Sequence, residues 1–346
     1  DHYGHAEIPH APRSVLKRQV ARLEAQGMTA MMASELEFFL FRDSFEEADE
    51  KDYRQLKTIS TYNEDYHIFQ TSKEEEVMRA IRLGLEGANI PVENSKGEAE
   101  AGQEEINIRY ADALTMADRH AILKNGVKEI AWSKGRALSF MAKWSTKHAG
   151  SSSHIHQSLQ ADGGMPLFYD ADAKQGMSAM MRHYLAGLLA YSSELTLFLA
   201  PYINSYKRFQ AGTFAPTKAV WSMDNRTTGY RVCGAGTKSV RVECRIGGAD
   251  LNPYLAYAAL IAAGLAGISE ELELEPEFVG DAYGGEGRHI PKTLRVATSA
   301  LDGSAMLREA FGAEVVDHYV RAARWEQEEY DRHVTDWEVR RGFERA

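Results

Sequence analysis

The sequence predicts an α+β fold, and three of its features do so. Stripes of apolar residues at helical spacing recur along the chain, between them lie segments that alternate charged and apolar residues with a period of two, and an Ala-rich apolar run spans residues 254–268. A chain of 346 residues with 44% hydrophobic and 26% charged content has enough apolar material for a large core.

Taken in order, Pro12 opens a helix with Leu16, Val20 and Leu23 on one stripe, and Gly27 stands where a C-terminal cap belongs. A strand over 28–41 follows, and its alternation places Glu35 and Glu37 on one face. Val77, Ile81 and Leu85 mark a second helix, and the chain is extended again from Ile90. In the next strand, 103–110, Glu105, Asn107 and Arg109 share a face opposite Ile106, Ile108 and Tyr110. A helix near 112–133 precedes strands at 137–144 and 153–159, the second carrying His154 and His156 on one side. Helical spacing covers roughly 176–199, 201–236 reads as irregular, and 238–246 is a strand with Arg241, Glu243 and Arg245 on one face. From Pro253 the pattern is mostly helical, restarting at Pro291 after a Gly-rich loop. The run 254–268 is short of the ~20 residues a membrane span requires and predicts a buried helix.

Forty basic against fifty acidic residues give a net charge of −10, which leaves no cationic excess for broad nucleic-acid binding. The two cysteines, Cys233 and Cys244, fit neither a metal-ligand spacing nor a disulfide scaffold, so a cytoplasmic setting is expected. No targeting segment or initiator Met is visible, and the chain reads as beginning inside a longer one.

Four strands present ionisable groups on one face and apolar residues on the other, which makes the apolar face the expected buried one. The charged faces hold Glu, His and Arg in place of the Lys, Thr and Ser of an ordinary solvated sheet. Carboxylates clustered beside Arg suit a cleft that binds hard cations and phosphate or carboxylate groups. A mainly carboxylate shell fits Mg²⁺ or Mn²⁺ better than zinc. No Gly-x-Ser-x-Gly elbow appears, and the run Gly229 to Gly236 lacks phosphate-loop spacing.

The segments Ser-Glu-Leu-Glu-Phe-Phe-Leu-Phe (34–41), Glu-Ala-Glu-Ala-Gly-Gln-Glu-Glu-Ile-Asn (98–107) and Gly-Ser-Ser-Ser-His-Ile-His-Gln-Ser-Leu (150–159) are followed by Asn-Ser-Tyr-Lys-Arg-Phe (204–209) and Asn-Arg-Thr-Thr-Gly-Tyr-Arg (225–231). Arg-Val-Glu-Cys-Arg (241–245) and Asn-Pro-Tyr-Leu-Ala (252–256) complete the set. In this order, from about residue 12 to the C-terminus, they resemble the glutamine synthetase catalytic domain. The resemblance implies one catalytic domain over 1–346 without the family's N-terminal domain, built on a curved antiparallel sheet that forms a funnel-shaped site surrounded by helices.

It further implies an ATP-dependent carbon–nitrogen ligase with ATP as co-substrate and two Mg²⁺ or Mn²⁺ ions, one held by Glu37, Glu98 and Glu105 and one by Glu35, His154 and Glu243. Glu98 rests on the motif alone, because Glu100 lies close by. By the same resemblance Arg226, Arg231, Lys238 and Arg241 match nucleotide and phosphoryl-transfer positions, with Arg226 and Arg245 as the catalytic pair. Tyr110, His156 and Ser158 fall near the nucleotide. Gly150, Arg208 and Arg245 match the glutamate pocket, and removing Glu243 is expected to leave the fold intact.

Two departures from the family pattern bear on the substrate. Ala149 precedes Gly150-Ser151 where ordinary glutamine synthetases have Asn, and Phe214 precedes Ala215-Pro216 where they have Glu. Similar replacements occur in the γ-glutamyl-amine ligase branch, so a primary amine other than ammonia is the expected co-substrate of glutamate. Ordinary glutamine synthetase and a non-catalytic assembly protein are the alternatives. The resemblance also implies a homo-oligomer of stacked rings, a dodecamer, in which a neighbouring subunit completes the site.

Overall fold

In this computed structural model, which describes residue 4 and residues 6–345, one 13-residue strand organises the sheet: β1, Met28–Leu40. The remaining strands are β2 (Val92–Gly97), β3 (Gln103–Ile108), β4 (Ala111–Asp112), β5 (Leu138–Ser139), β6 (Ser153–Ala161), β7 (Trp221–Met223), β8 (Tyr230–Cys233) and β9 (Arg241–Cys244). They form a mixed sheet in the order β2-β3-β1-β6-β9-β8-β7, with β4 and β5 also pairing on β1. Every pairing is antiparallel apart from β7 with β8.

On one face of β1, Leu36, Phe38 and Leu40 are at most 1% exposed. The helices Pro12–Glu24 and Ala113–Ser133 pack on this strand, and Pro253–Ser269 packs against both helices. The expectation that only this face is buried is corrected: on the charged side Glu37 is 8% exposed, Glu105 2%, His154 6% and Glu243 0%. The ionisable groups therefore line an interior cleft.

The predicted helix at 12 ends at Glu24, and Gly27 takes the left-handed backbone (φ +67°) that turns the chain into β1. Of the strand predicted over 137–144 only β5 forms, and 176–199 breaks at Tyr191 into the helices Ala179–Ala190 and Ser192–Leu199. Segment 201–236, read as irregular, contains β7 and β8, whose three and four residues are too few to show a period. Beyond Ser269 the next helix starts at Leu294, where Thr293 caps it by accepting from the Val296 N–H.

The apolar run 254–268 forms the buried helix predicted for it. It meets the helix Ala179–Ala190 backbone to backbone: a Cβ on Gly187 would lie 2.2 Å from the Ala263 carbonyl oxygen, and one on Gly267 2.2 Å from that of His183. Among the described residues no helix is long and apolar enough to cross a membrane. Replacing Gly187 with Val should lower stability by about 1–3 kcal/mol, because both helices would have to separate. An unchanged urea midpoint would contradict this close crossing.

Candidate active site

The registers of β1 build the site. Pairing with β3 sets Glu37 opposite Glu105, pairing with β6 sets Glu35 opposite His154, and β6 with β9 sets His156 opposite Glu243. Glu98 follows β2 directly and joins Glu37 and Glu105, with donor oxygens of the three within 4.8 Å of one another. The nearby Glu100 is turned away, accepting from the Ala149 N–H (2.8 Å) and meeting His148 Nδ1 (3.0 Å).

Glu35, His156 and Glu243 make a second cluster, their donor atoms likewise within 4.8 Å of one another. His154, the histidine expected in this group, stands beside it, its Nδ1 lying 3.2 Å from Glu35 and 3.5 Å from Glu243, while His156 takes the place within it. His156, expected beside the nucleotide, bridges both regions: its Nε2 is 2.8 Å from Glu35, and its Nδ1 accepts from Arg241 Nε at 3.1 Å. That acceptor role fixes the proton on Nε2 and directs it at Glu35. Burial, followed by the Arg245 charge, lowers the His154 pKa to about 4, so this imidazole stays neutral and able to bind a cation.

The clusters differ in how their charge is balanced. Burial opposes ionisation of Glu243, but Arg245 and both histidines outweigh it and hold the pKa down to about 2. Burial likewise opposes Glu35, whose hydrogen bonds to His154 and His156 win and lower its pKa. In the other cluster burial dominates and mutual repulsion adds to it, so Glu37, Glu98 and Glu105 are all raised. Two buried carboxylates and the half-buried Glu98 face one ammonium, Lys96, with the Arg208 charge near Glu37, and still lack positive charge. An all-oxygen donor set with that deficit fits a hard divalent cation.

Two cavities flank Glu35. The first is lined by Tyr110, His156, Ser158, Lys238 and Arg241, so five of the seven residues matched to nucleotide and phosphoryl transfer share one space. The second brings together the first carboxylate cluster, Gly150, Arg208, Phe214, Arg226, Arg231 and Arg245. Gly150 has no room for a side chain, since a Cβ would lie 2.5 Å from the Ala142 carbonyl oxygen and 2.7 Å from Arg208 Cγ.

Arg208, 2% exposed, donates to the carbonyls of Ile246 (3.0 Å) and Arg245 (3.1 Å). Arg245 donates to Glu243 and to the Arg226 carbonyl. Each of these guanidinium groups keeps only part of its donor set for a ligand. Arg226 is exposed, and its side chain forms no ion pair among the described residues. Phe214 is 59% exposed and sits at φ +57°, a strained backbone for an aromatic residue, which presents its ring at the cavity mouth.

Several site residues escaped the sequence reading. Lys96 bonds Glu98 (2.8 Å) and Glu105, correcting the expectation that no Lys joins the charged faces. Gln103 spans Glu37 (3.2 Å) and the Gly150 carbonyl (3.1 Å), and the Ser152 N–H donates to Glu37 at 2.7 Å. Gln103 was findable, because it lies two residues before Glu105 on the same strand. Asp65 and Tyr66 line the second cavity from a distant loop, for which the local sequence offers no signal.

The chain matches the family described as glutamine synthetase, catalytic domain, over residues 9–342. It is 48% identical to a gamma-glutamylethanolamide synthetase of Streptomyces coelicolor over 97% of this chain and 71% of that protein. A glutamate–isopropylamine ligase of a Pseudomonas species is 34% identical over 96% of this chain and 73% of its own length. A solved complex of GmaS with ADP superposes with a TM-score of 0.90 at 30% identity, covering 99% of this chain and 79% of that one.

The ion pairs of Glu243 correct the view that its removal leaves the fold untouched. An Ala there would leave the buried Arg245 guanidinium without a carboxylate and Arg231 (3.0 Å) with Asp224 alone. Gln keeps the shape. Glu243→Gln should bind Mn²⁺ about tenfold or more weakly in a paramagnetic titration while retaining its circular dichroism, whereas Glu243→Ala should also unfold at lower denaturant. Equal Mn²⁺ affinity in Glu243→Gln and wild type would remove Glu243 from the ligand set.

Proposed function

The chain belongs to the glutamine synthetase family, and from this membership we propose that it joins the γ-carboxylate of glutamate to a primary amine, driven by ATP. The observation that carries the amine assignment is Phe214. Its ring stands at the mouth of the carboxylate-lined cavity, at the position where the pattern of ordinary glutamine synthetases has Glu. Two of the relatives described above are named for ethanolamide and isopropylamine chemistry, which supports the same reading. Use of ammonia by an ordinary glutamine synthetase would leave the aromatic mouth without a purpose.

A carboxylate is a poor electrophile, so the γ-carboxylate first takes the terminal phosphoryl group of ATP, giving γ-glutamyl phosphate and ADP. The amine nitrogen then attacks the γ-carbon, the C–O bond to phosphate breaks, and the amine gives up a proton. Tyr110, Ser158, Lys238 and Arg241 border the cavity assigned to the nucleotide. The unpaired Arg226 side chain reaches the charge on the transferring group, and the free donors of Arg208 and Arg245 hold glutamate. Glutamine synthetase family ligases use ATP and divalent metals, and here Glu37, Glu98 and Glu105 would hold one Mg²⁺ or Mn²⁺ and Glu35, His154 and Glu243, with His156 beside them, another. Bound there, the ions would neutralise phosphate oxygens and align donor with acceptor.

At the amine end Asp65 offers an anionic partner to an incoming ammonium, while Tyr66 and Phe214 offer aromatic walls to its organic substituent. Apolar burial at about 25 cal/mol per Å² favours even a small alkyl chain over ammonia. Assembly into stacked rings and a cytoplasmic setting, where ATP and glutamate are plentiful, complete the reading. Two clusters of buried carboxylates argue against a scaffold without activity, which would gain nothing from their repulsion.

Steady-state rates with a panel of primary amines and ammonia should give a higher kcat/KM for an organic amine, and Phe214→Glu should shift the ratio toward ammonia. Preference for ammonia over every amine would return the protein to ordinary glutamine synthetases. Separately, Arg226→Lys should lower kcat more than it raises the KM for ATP, because Lys lacks the planar fork. A change confined to ATP affinity would reduce Arg226 to a binding group.

A further inference from the structure

Strand β3 carries carboxylates on both faces. Glu105 points into the cleft, and its neighbour Glu104 points the other way. On that far side Glu104 meets Glu64, from the loop that also bears Asp65 and Tyr66, and Glu74, which precedes the 13-residue helix Glu75–Gly87. Each of the three offers an oxygen within 4.8 Å of the others, and they are 1%, 0% and 1% exposed.

Glu64 Oε1 accepts from the Gly102 N–H (2.5 Å) and from Ser60 Oγ. Four other oxygens are buried without a partner: Glu64 Oε2, Glu104 Oε1 and both oxygens of Glu74. Glu74 is thus wholly buried, aimed at the other two carboxylates and without a donor from outside the trio. Among the described residues no basic side chain is ion-paired with any of them.

Such a group must be neutralised, either by protons or by a cation. Two shared protons could pair the four free oxygens in two O–H···O bonds, but they do not account for why side chains from three separate elements converge on one point. A single ion at that point would be reached by one oxygen from each of the three side chains. Oxygens on opposite sides of a divalent ion with bonds of about 2.0–2.6 Å lie up to about 5 Å apart, and the three carboxylate oxygens fall inside that limit, all within 4.8 Å of one another. The packing is close: a Cβ on Gly97, opposite Glu104 in the β2–β3 ladder, would lie 2.6 Å from Glu64 Cβ.

We propose that Glu64, Glu74 and Glu104 hold a further divalent hard cation, structural in role, which clamps the 60–74 segment to the back of β3. The clamp fixes Asp65 and Tyr66 at the cleft and steadies Glu105 from behind. It does not depend on which reaction the cleft performs.

The test uses the full-length protein, stripped with chelator and reloaded with Mn²⁺ alone. Crystals should show an anomalous difference peak among the three carboxylates, apart from any peaks in the cleft. In solution Glu74→Gln should bind one Mn²⁺ fewer per subunit than wild type, and chelator should lower the Tm of wild type more than that of the variant. Absence of a peak at the trio, or equal Mn²⁺ counts in the two proteins, would overturn the proposal in favour of shared protons. Peaks in the cleft with none at the trio would do so without touching the ligase reading. The crystallographic arm needs no variant, so a Glu74→Gln protein that fails to fold leaves the proposal fully testable.

Discussion

Carboxylates taken out of water need positive charge within reach, and this need shapes the molecule more than any other interaction. The antiparallel registers of β1 with β3 and β6 bring Glu35, Glu37, Glu105 and His154 onto one interior face, where solvent no longer screens the last three and reaches Glu35 only in part. The protein meets the need unequally. Around Glu243 it supplies its own cations, Arg231 and Arg245, and keeps that group ionised. Around Glu37, Glu98 and Glu105 the ion pairs among the described residues come from Lys96, with the Arg208 charge near Glu37, so the balance falls to ions from outside. A cleft in this state is prepared for divalent cations and for the phosphates that travel with them.

Much of that arrangement was legible in the chain. Alternation in β1, β3 and β6 put the ligand candidates on shared faces, and the pairing of those strands brought the faces together. The reading failed where local pattern carries no information. Segment 92–97 has no apolar alternation, so Lys96 went unseen as a strand residue facing the carboxylates. Glu98 and Glu100 share a parity and were separable only once His148 and the Ala149 N–H were seen to occupy Glu100. The fixed donors of Arg208, the ion pairs of Glu243 and the contribution of Asp65 and Tyr66 all arise from contacts remote in sequence.

Rigid and adaptable parts of the site are divided between strands and loops. The carboxylates and histidines that would hold ions stand on or beside paired strands, whose geometry is set by ladder hydrogen bonds. Asp65, Tyr66 and Phe214, proposed for the amine end, stand on loops, outside the ladders that position the carboxylates. Phe214 illustrates the division, since its left-handed backbone holds a ring at the opening that no ladder constrains.

The central claim is that this cleft activates the γ-carboxylate of glutamate by phosphoryl transfer so that an organic amine can displace phosphate. It is tested most directly by following oxygen. Glutamate labelled with ¹⁸O in its γ-carboxylate should, when turned over with ATP and a primary amine, deliver one labelled oxygen to each phosphate released. Phosphate free of label, with the γ-glutamyl amide still formed, would contradict the account.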